Sequence, residues 1–286
     1  MASLKDLRRR IRATKSMQQI FKAMEMVAAA KLRRAQQRAQ ASGPYSKKIS
    51  NMLANLSGAA AELEHPLFKA REVKKTVLVV ITADRGFAGT YNTAVLRVAE
   101  QRLKSAPEGS ITTVVVGRKG RDYLRRRGYP VLAAHTELPG EANLELARAI
   151  TNDLTELYLK GEADRVEILY THFVNAITRK ITNETFLPIG ADSAQGAAGT
   201  DSGAIFEPNA EAIFAELLPR YATAKLYAAM ADSLASEHSA RMVAMGSARK
   251  NAGELVDSLT LTRNRLRQAA ITREISELVG GAEALK

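Results

Sequence analysis

An uninterrupted helical pattern from about residue 208 to residue 285 restricts the fold of this chain more than any other feature. Pro219 and Gly280 enclose a stretch without proline, in which Gly246 and Gly253 are the only glycines. Residues spaced alternately four and three apart form one seam along it, and all but three of them are apolar. The members of the seam are Tyr227, Ala231, Leu234, His238, Arg241, Met245, Ala248, Ala252, Leu255, Leu259, Thr262, Leu266 and Ala269. A mean spacing of 3.5 residues predicts a left-handed coiled coil, and about 60 such residues form a helix of roughly 90 Å, which needs a partner helix.

A second long helix is predicted at the other end of the chain, over residues 3–57. Ser3 is a typical N-cap, and Asp6 in the first turn complements the helix dipole. The helix bends or breaks at Gly43-Pro44, because proline disfavours helical backbone in the residue before it. Its apolar face begins with Leu4, Leu7 and Ile11 and continues through Met17, Ile20, Met24 and Val27, with Phe21, Ala28, Leu32, Ala35 and Ala39 on an adjoining stripe. This helix is the candidate partner for the C-terminal one.

The residues between the two helices change to β-branched runs that alternate with helical patterns. Continuous apolar runs predict buried strands, and alternation predicts an antiparallel edge strand. The predicted strands are 76–82, 111–116, 129–134, 165–171 and, at the edge, 180–187. The helical patterns between them lie at 95–103, 118–127 and 142–159. This order predicts a small open-sheet, Rossmann-like α/β domain.

The predicted fold class is therefore α/β, with a long antiparallel coiled coil of N- and C-terminal helices and the α/β domain inserted between them. The predicted domains are 1–57, 74–190 and 208–286. The two helices are expected to pair antiparallel because the inserted domain brings its own ends together. The C-terminal helix has about 20 residues more than the N-terminal one, so its tip is expected to project alone, about 30 Å at 1.5 Å per residue.

Positive charge is concentrated in the N-terminal helix. The chain has a formal net charge of +12, and residues 1–38 hold eleven Lys or Arg against Asp6 and Glu25, a net charge of +9 in that stretch. A localised basic helix favours an acidic surface, although basic residues that flank a coiled coil are often only a solvated face. Three interpretations stay open: a solvated face, an acidic protein partner and nucleic acid. Phe21 is the only aromatic residue in the stretch, which disfavours nucleic acid.

No motif in the sequence predicts catalysis, a cofactor or a metal. The chain has no cysteine, and its four histidines lack metal-ligand spacing. The turn at 84–92 lies between a strand and a helix, where phosphate-binding loops occur, but Gly86 and Gly89 are too few for G-x-G-x-x-G. A structural turn and a protein-contact loop are the other interpretations. His238, on the seam, is interpreted as a polar residue that sets register. No apolar run approaches the roughly 18 residues that cross a bilayer.

Five segments together resemble the gamma subunit of the rotary F-type ATP synthase, and they occur in the same order along the whole chain. The segments are SLKDLRRRI from Ser3, KAMEMVAAAKLRRAQ from Lys22, ITADRGFAGTYN from Ile81, ASEHSARMVAM from Ala235 and LTLTRNRLRQAAITREISELVGGA from Leu259. The fold predicted above is also the fold of that family.

The resemblance implies a non-catalytic rotor shaft with several protein partners. In that family the two helices lie in the bore of a ring of alpha and beta subunits, and the α/β foot joins the epsilon subunit and the membrane ring of c subunits. Ion flow turns the shaft, which drives the catalytic subunits through states of different nucleotide affinity. The resemblance implies no cofactor, no nucleic acid and no direct membrane insertion. With no recognisable transit peptide, a peripheral place at the cytoplasmic face of a bacterial inner membrane is expected.

The resemblance also implies particular contact residues. Contacts with the catalytic ring are expected at Met24, Asp84, Arg85, Gly86, Ala88, Arg241, Arg267, Gln268, Thr272 and Glu274, and contacts with the c ring at Phe206 and Glu207. Within this set, Arg267 and Gln268 correspond to a catch that hydrogen-bonds loops of the ring. Arg263 and Arg273 depart from the family pattern by adding positive charge near the bore. The absence of cysteine excludes thiol regulation of this chain.

Overall fold

The computed structural model describes residues 3–60, 66–68, 70–189 and 210–283, and side chains within these except over 38–60, 210–215 and at 283. Two long helices are present, α1 at Leu4–Ala60 and α5 at Ala210–Glu283, and α1 runs through Gly43-Pro44 without a break in its assignment. The chain divides into two compact units. Residues 1–28 and 242–286 form one unit, called the helical unit here, and residues 29–241 form the other, called the sheet unit.

The helical unit consists of α1 and α5 packed antiparallel. Ser3 caps α1 as predicted, because its Oγ accepts a hydrogen bond from the Asp6 amide at 3.2 Å. Further along, Glu25 accepts a hydrogen bond from Arg249 Nε at 2.8 Å. A side chain placed on Gly253 would come within 2.9 Å of Gln18 Nε2. Later residues of α1 thus face earlier residues of α5, which confirms the antiparallel pairing.

The buried seam of α5 departs from the predicted one after Ala252. Val256 is 7% exposed, whereas the predicted Leu255 is 49% exposed. Thr262 and Ala269 are exposed as well, and Arg263 and Ala270 are half-buried in their place. Leu259 and Leu266 are half-buried as predicted, so the prediction is wrong by one residue at the three alternate positions 255, 262 and 269. The physical reason is that the buried positions follow the 3.6-residue period of a straight helix, which drifts from a strict 3.5-residue repeat.

The inward face of α1 within the helical unit is formed by Leu7, Ile11, Thr14 and Ala28, all of which are buried. Phe21, from the adjoining stripe, is half-buried on this side. Met17, Ile20 and Val27, which were predicted to continue the main apolar face, are exposed. Burial therefore passes from the first face, at Leu7 and Ile11, to the adjoining stripe, at Ala28.

The sheet unit is built on a five-stranded sheet in the order β3-β2-β1-β4-β5. Its strands are β1 (Thr76–Ile81), β2 (Ile111–Val116), β3 (Val131–His135), β4 (Arg165–Phe173) and β5 (Arg179–Leu187). The first four are parallel, and β5 pairs antiparallel with β4 at the edge. The remaining helices are α2 (Tyr91–Lys104), α3 (Arg118–Arg126) and α4 (Leu144–Leu159). These bounds and the antiparallel edge confirm the predicted elements, while the division into domains 1–57, 74–190 and 208–286 stays a prediction.

Both faces of the sheet are covered, which explains why β1 is apolar from Val77 to Ile81. On one face Val77, Val79 and Ile81 pack in a cluster with α4 and with the α5 residues from Leu218 to Met230. On the other face Leu78 and Val80 pack against Val95, Leu96 and Ala99 of α2. All six residues of β1 are buried. Because α5 covers the sheet itself, its next turns come to the carboxyl ends of the strands.

Candidate partner-binding site

The turn from Asp84 to Gly89 follows the carboxyl end of β1, and its first residue holds two other segments in place. Asp84 Oδ1 accepts a hydrogen bond from the Arg118 amide at 2.7 Å, and Oδ2 accepts one from the Leu138 amide at 2.6 Å. The carboxylate thus caps α3 and fixes the loop after β3 at once. Asp84 was predicted as a partner contact from the family resemblance, which stays a prediction. Within the chain, its carboxylate bonds the start of α3 to the loop after β3.

The N-terminus of α3 has no free amide for an anion, because the end of β1 already occupies it. Besides the Arg118 amide, the Lys119 amide donates to the Ala83 carbonyl at 3.0 Å, and the Gly120 amide donates to Thr82 Oγ1 at 3.0 Å. The amide of Arg121 donates to the Gly117 carbonyl. A phosphate-binding loop uses such amides to hold its ligand. The nucleotide-loop interpretation of residues 84–92 therefore has no support at this helix.

The crevice at the carboxyl ends of the strands, where open α/β sheets bind ligands, is occupied by α5. Tyr91 hydrogen-bonds Ser233 at 2.8 Å, and Ser236 donates to the Thr171 carbonyl at 3.0 Å. Ser239 donates to the Ala176 carbonyl at 2.6 Å. Burial raises the pKa of the Tyr91 phenol, with a further contribution from Glu237. These contacts close the crevice above β1 and β4, where the strand order reverses.

These serines were missed in the sequence, although their spacing carries a signal. Ser233, Ser236 and Ser239 are each three residues apart, so they lie close together on one side of α5. Small side chains at this spacing let a helix approach backbone closely, and hydroxyls can satisfy carbonyl groups at strand ends.

Arg241 connects α5 to the Asp84–Gly89 turn. Its guanidinium forms an ion pair with Glu237 at 2.6 Å and donates to the Gly86 carbonyl at 3.2 Å. Burial raises the pKa of Glu237, and the ion pair with Arg241 opposes that effect. Glu237 was not singled out in the sequence, although it precedes Arg241 by four residues, the spacing of a helical ion pair.

His238 is buried next to this ion pair and near the loop after β3. Burial, with smaller contributions from Arg241 and Lys31, lowers its pKa to about 4, and a hydrogen bond to the backbone of Gly140 opposes this shift. The imidazole is therefore neutral at pH 7. Its neighbours in the sheet unit are the loop and charged side chains, and it packs as part of a polar cluster rather than among purely apolar seam residues.

The predicted contact residues of the turn differ in what they offer to another protein. Arg85 is exposed, and Phe87, with a positive φ of 60°, is 72% exposed. Ala88 is 2% exposed and packs with Ala83, Tyr91 and Ala240. A contact at Ala88 therefore has to be made by its exposed neighbours. The structure brings Asp84, Gly86, Ala88 and Arg241 together in the sheet unit.

The other predicted ring contacts lie in the helical unit. Met24 is half-buried, and its neighbour Glu25 is paired with Arg249. Arg267, Gln268, Thr272 and Glu274 are all exposed near the end of α5. Thr272 Oγ1 donates to the Gln268 carbonyl at 3.0 Å, so these two share one face of the helix. Since Glu25 lies opposite Gly246, Met24 is roughly 30 Å along α5 from Arg267, at 1.5 Å per residue.

Every described side chain from Ile271 to Ala282 is exposed. This segment includes large apolar residues, namely Ile271, Ile275, Leu278 and Val279. Large apolar residues that are exposed on one helix in the isolated chain are typical of a surface that another protein covers. The predicted c-ring contacts, Phe206 and Glu207, lie outside the described residues.

None of the helices in the part of the chain that the structure describes is long and apolar enough to span a membrane. No cluster of three or more His, Cys, Asp or Glu in that part of the chain could hold a metal ion.

Comparison with known proteins finds similarity over the whole chain. A family model described as ATP synthase matches residues 3–285. The ATP synthase gamma chain of Heliobacterium modesticaldum is 45% identical over 291 residues, which cover 100% of both chains. The ATP synthase gamma chain of Symbiobacterium thermophilum is 48% identical over 286 residues, covering 99% of this chain and 98% of that one.

Solved structures of similar fold come from mitochondrial ATP synthases. A chain of the central stalk and c-ring structure from Tetrahymena thermophila is 26% identical, with a TM-score of 0.61, over 80% of this chain and 99% of that chain. A chain of the Euglena gracilis structure of OSCP, F1 and c-ring in rotational state 3 has a TM-score of 0.72 at 20% identity, over 99% of this chain and 94% of that one. The second likeness concerns the fold alone.

Proposed function

The chain belongs to the ATP synthase gamma-chain family, and on that premise we propose that it is the non-catalytic central rotor shaft of an F-type ATP synthase. In this role it couples ion-driven rotation of the membrane c ring to conformational changes, and hence to ATP synthesis or hydrolysis, at the catalytic subunits. Its partners are the alpha and beta subunits of the head, the epsilon subunit and the c ring. It is peripheral to the membrane, at the cytoplasmic face of the bacterial inner membrane.

The observation that carries the proposal is the end of α5, where twelve consecutive residues, Ile271–Ala282, expose every side chain. A helix of this kind cannot bury its apolar side chains within its own chain, so it needs a surrounding protein. A ring of subunits with a central bore supplies such a surface on all sides. Arg267 and Gln268 lie directly before this segment, where they can hydrogen-bond loops of the ring.

The exposed stripe of α1 supports a second contact with the same ring. Met17, Ile20 and Val27 are exposed, and Met24 lies half-buried at the border of this stripe. A shaft whose faces differ contacts each catalytic subunit differently, and a partner that binds two conformations unequally shifts their populations. Rotation of such a shaft therefore changes the nucleotide affinity of the catalytic subunits one after another.

The closed crevice in the sheet unit supports the non-catalytic part of the proposal. The switch point between β1 and β4, where an open α/β sheet commonly takes a ligand, is filled by Tyr91 and Ser233, and the α3 amides are bonded to the end of β1. The sheet unit therefore serves as a foot, and Asp84, Arg85, Gly86 and Arg241 are its proposed contacts with the ring. Ala88 belongs to the same surface through its exposed neighbours. Phe206 and Glu207 are the proposed contacts with the c ring.

The test is made on the assembled complex. The tagged chain is isolated from its native membranes, and ATPase activity and ATP-driven proton pumping of the eluted complex are measured in vesicles. We expect the chain to bring down an oligomeric ATPase. Replacing both Arg267 and Gln268 by Ala should reduce pumping per ATP hydrolysed severalfold, because the hydrogen bonds between shaft and ring are lost.

A matched control is available on the same helix. Arg265 is exposed and carries the same charge, but at 100° per residue it lies about 200° around α5 from Arg267. Arg265→Ala should leave pumping per ATP close to that of the unchanged chain. A chain that elutes without an ATPase, or with nucleic acid, would refute the shaft and favour the nucleic-acid interpretation of the basic helix.

A further inference from the structure

A polar cavity of about 460 Å³ lies in the sheet unit beside the Asp84 turn. Its walls come from α1, the turn after β1, the start of α3, the loop after β3 and α5. Four cationic side chains line it, one from each of four separate elements: Lys31, Arg85, Arg118 and Arg241. The volume falls within the range of small-ligand sites, about 300 to 1,000 Å³.

Lys119 lies close to one of the bordering segments, because its Cε would be 4.0 Å from a Cβ placed on Gly86, the residue after Arg85. Lys31 Nζ lies 3.6 Å from the equivalent position at Gly140, on the other border. Within the described part of the chain, Lys31, Arg85 and Lys119 form no ion pair. Their charges are therefore available to a ligand.

The three carboxylates around the cavity are already engaged. Both oxygens of Asp84 accept backbone amides, and Glu237 is paired with Arg241. Glu137 pairs with Arg118 at 3.7 Å, but its side chain is 83% exposed, so this pair is weak. The cavity thus has an excess of positive charge that the chain does not neutralise.

Protonation of the buried groups does not remove this excess at neutral pH. Burial raises the pKa of Glu237, which disfavours its negative form. The neutral imidazole of His238 adds no charge of its own, and its ring is engaged with the Gly140 backbone. Neither group cancels the charges of Lys31, Arg85 and Lys119.

We propose that this cavity binds a small phosphate-bearing anion. Arg85 and Arg118 can present their guanidinium groups to phosphate oxygens in a bidentate manner, and Lys31 and Lys119 add point charges. The α3 amides take no part, because they are bonded to the end of β1. The site thus differs from a P-loop in holding its ligand with side chains alone.

The concave shape favours a small anion over an acidic segment of another protein. The positive side chains surround a volume instead of lying on a flat face, and they come from elements on several sides. The polar lining suits a hydrophilic ligand. This inference goes beyond the shaft function, and it is argued from the cavity alone, which lies within the sheet unit and shares Asp84, Arg85 and Arg241 with the proposed ring contacts.

Calorimetric titration of the full chain with inorganic phosphate, at constant ionic strength maintained with chloride, tests the proposal. We expect saturable binding of one phosphate, with a dissociation constant of order 1 mM. Arg85→Ala should weaken it about tenfold or more, because a hydrogen-bonded charge contact is lost. Arg85 is exposed and makes no hydrogen bond to the described residues, so this variant should fold normally.

Arg125→Ala is the matched control. Arg125 is exposed in the last turn of α3, carries the same charge and does not line the cavity. It should leave phosphate binding within about twofold of the unchanged chain, since a distant exposed charge is largely screened. Lys31→Ala provides a second variant from another wall and should weaken binding in the same direction as Arg85→Ala.

Three results would overturn the proposal. The first is no saturable binding up to about 50 mM phosphate, well above millimolar affinity. The second is equal weakening by Arg125→Ala and Arg85→Ala, which would indicate only general attraction by net charge. The third is binding of a glutamate-rich peptide that phosphate does not displace, which would assign the surface to an acidic protein partner. Circular dichroism of each variant verifies that the fold is retained.

Discussion

Gly117 shows how a single residue sets the distance between β1 and α3. Its φ is 106°, and a Cβ there would lie 2.3 Å from the Thr82 carbonyl oxygen. Gly109 also has a positive φ, 76°, but a Cβ there would meet nothing within 4 Å. The two glycines therefore separate backbone strain from steric clash, because both effects act at Gly117 and only strain acts at Gly109.

Gly117→Ala is expected to lower the free energy of unfolding by about 3 kcal/mol or more, whereas Gly109→Ala should cost about 1 kcal/mol. The larger cost arises because the new methyl group must push the end of β1 away from α3, which also disturbs the Asp84 cap. Urea unfolding of both variants measures the difference. Equal costs would show that the approach of α3 to β1 is not as tight as described.

His238 predicts a specific pH dependence of stability. Its pKa is lowered to about 4 in the folded chain by burial, Arg241 and Lys31, whereas the unfolded chain has the ordinary value of 6.5. The unfolded state therefore binds a proton first as pH falls. The stability contributed by the neutral imidazole is complete above pH 6.5 and is lost as pH falls toward 4, by at most about 3 kcal/mol.

His238→Gln isolates this effect from the opposite trend of Glu237, whose raised pKa favours the folded state in acid. Between pH 6.5 and pH 4, the free energy of unfolding of the unchanged chain should fall more steeply than that of the variant. Denaturant unfolding at half-unit pH steps provides the two slopes. Identical slopes would mean that burial and the neighbouring cations do not lower the pKa of His238.

At the scale of the helix, the phase of α5 in the helical unit can be tested with two adjacent residues. Val256→Ala removes buried methyl groups and should cost about 1 to 2.5 kcal/mol. Leu255→Ala removes a larger side chain that is 49% exposed, and it should cost less than about 0.5 kcal/mol. Thermal unfolding followed by circular dichroism compares the two. A larger cost for Leu255→Ala than for Val256→Ala would support the seam predicted from the sequence, in which Leu255 is buried.

Elements were predicted well where the signal is local, and less well where it depends on contacts. The run TVLVVI predicts β1, because a strand covered on both faces needs apolar residues throughout. The sequence does not distinguish between the two stripes of α1, because Met17 and Ile20 are as apolar as Phe21 and Ala28. Only the position of α5 decides which stripe is covered.

At the scale of the whole molecule, the end of α5 should be dispensable for folding. Removal of residues 271–286 deletes side chains that are exposed wherever the structure describes them. The unfolding midpoint should change by no more than about 2 °C, since exposed residues contribute little to stability. Truncation after Asn251 removes Ala252 and Val256 as well and should lower the midpoint clearly. A large fall with the shorter deletion would mean that the segment stabilises the chain itself.

Part of the candidate site was predicted from the sequence, and part of it is visible only in the folded chain. Arg241 and the DRGFAG turn were connected through the family resemblance, and the structure joins them by the hydrogen bond from Arg241 to the Gly86 carbonyl. The internal roles of Asp84 and Ala88 were not predictable, because their partners Leu138 and Ala240 are far away in the sequence. The contacts of this surface with other subunits stay a prediction.

What the sequence determined by itself is the set of helices and strands and the family. Helical period, the lack of proline between Pro219 and Gly280, and the β-branched runs are local properties, and each is set by backbone sterics and by alternation of apolar side chains. The tertiary structure decided which face of each helix is buried, that Val256 rather than Leu255 is covered, and that four cations line one cavity. The period of a helix or strand is set by the order of neighbouring residues. Which face of a helix is buried, and which side chains line one cavity, depend on segments that come into contact only when the chain is folded.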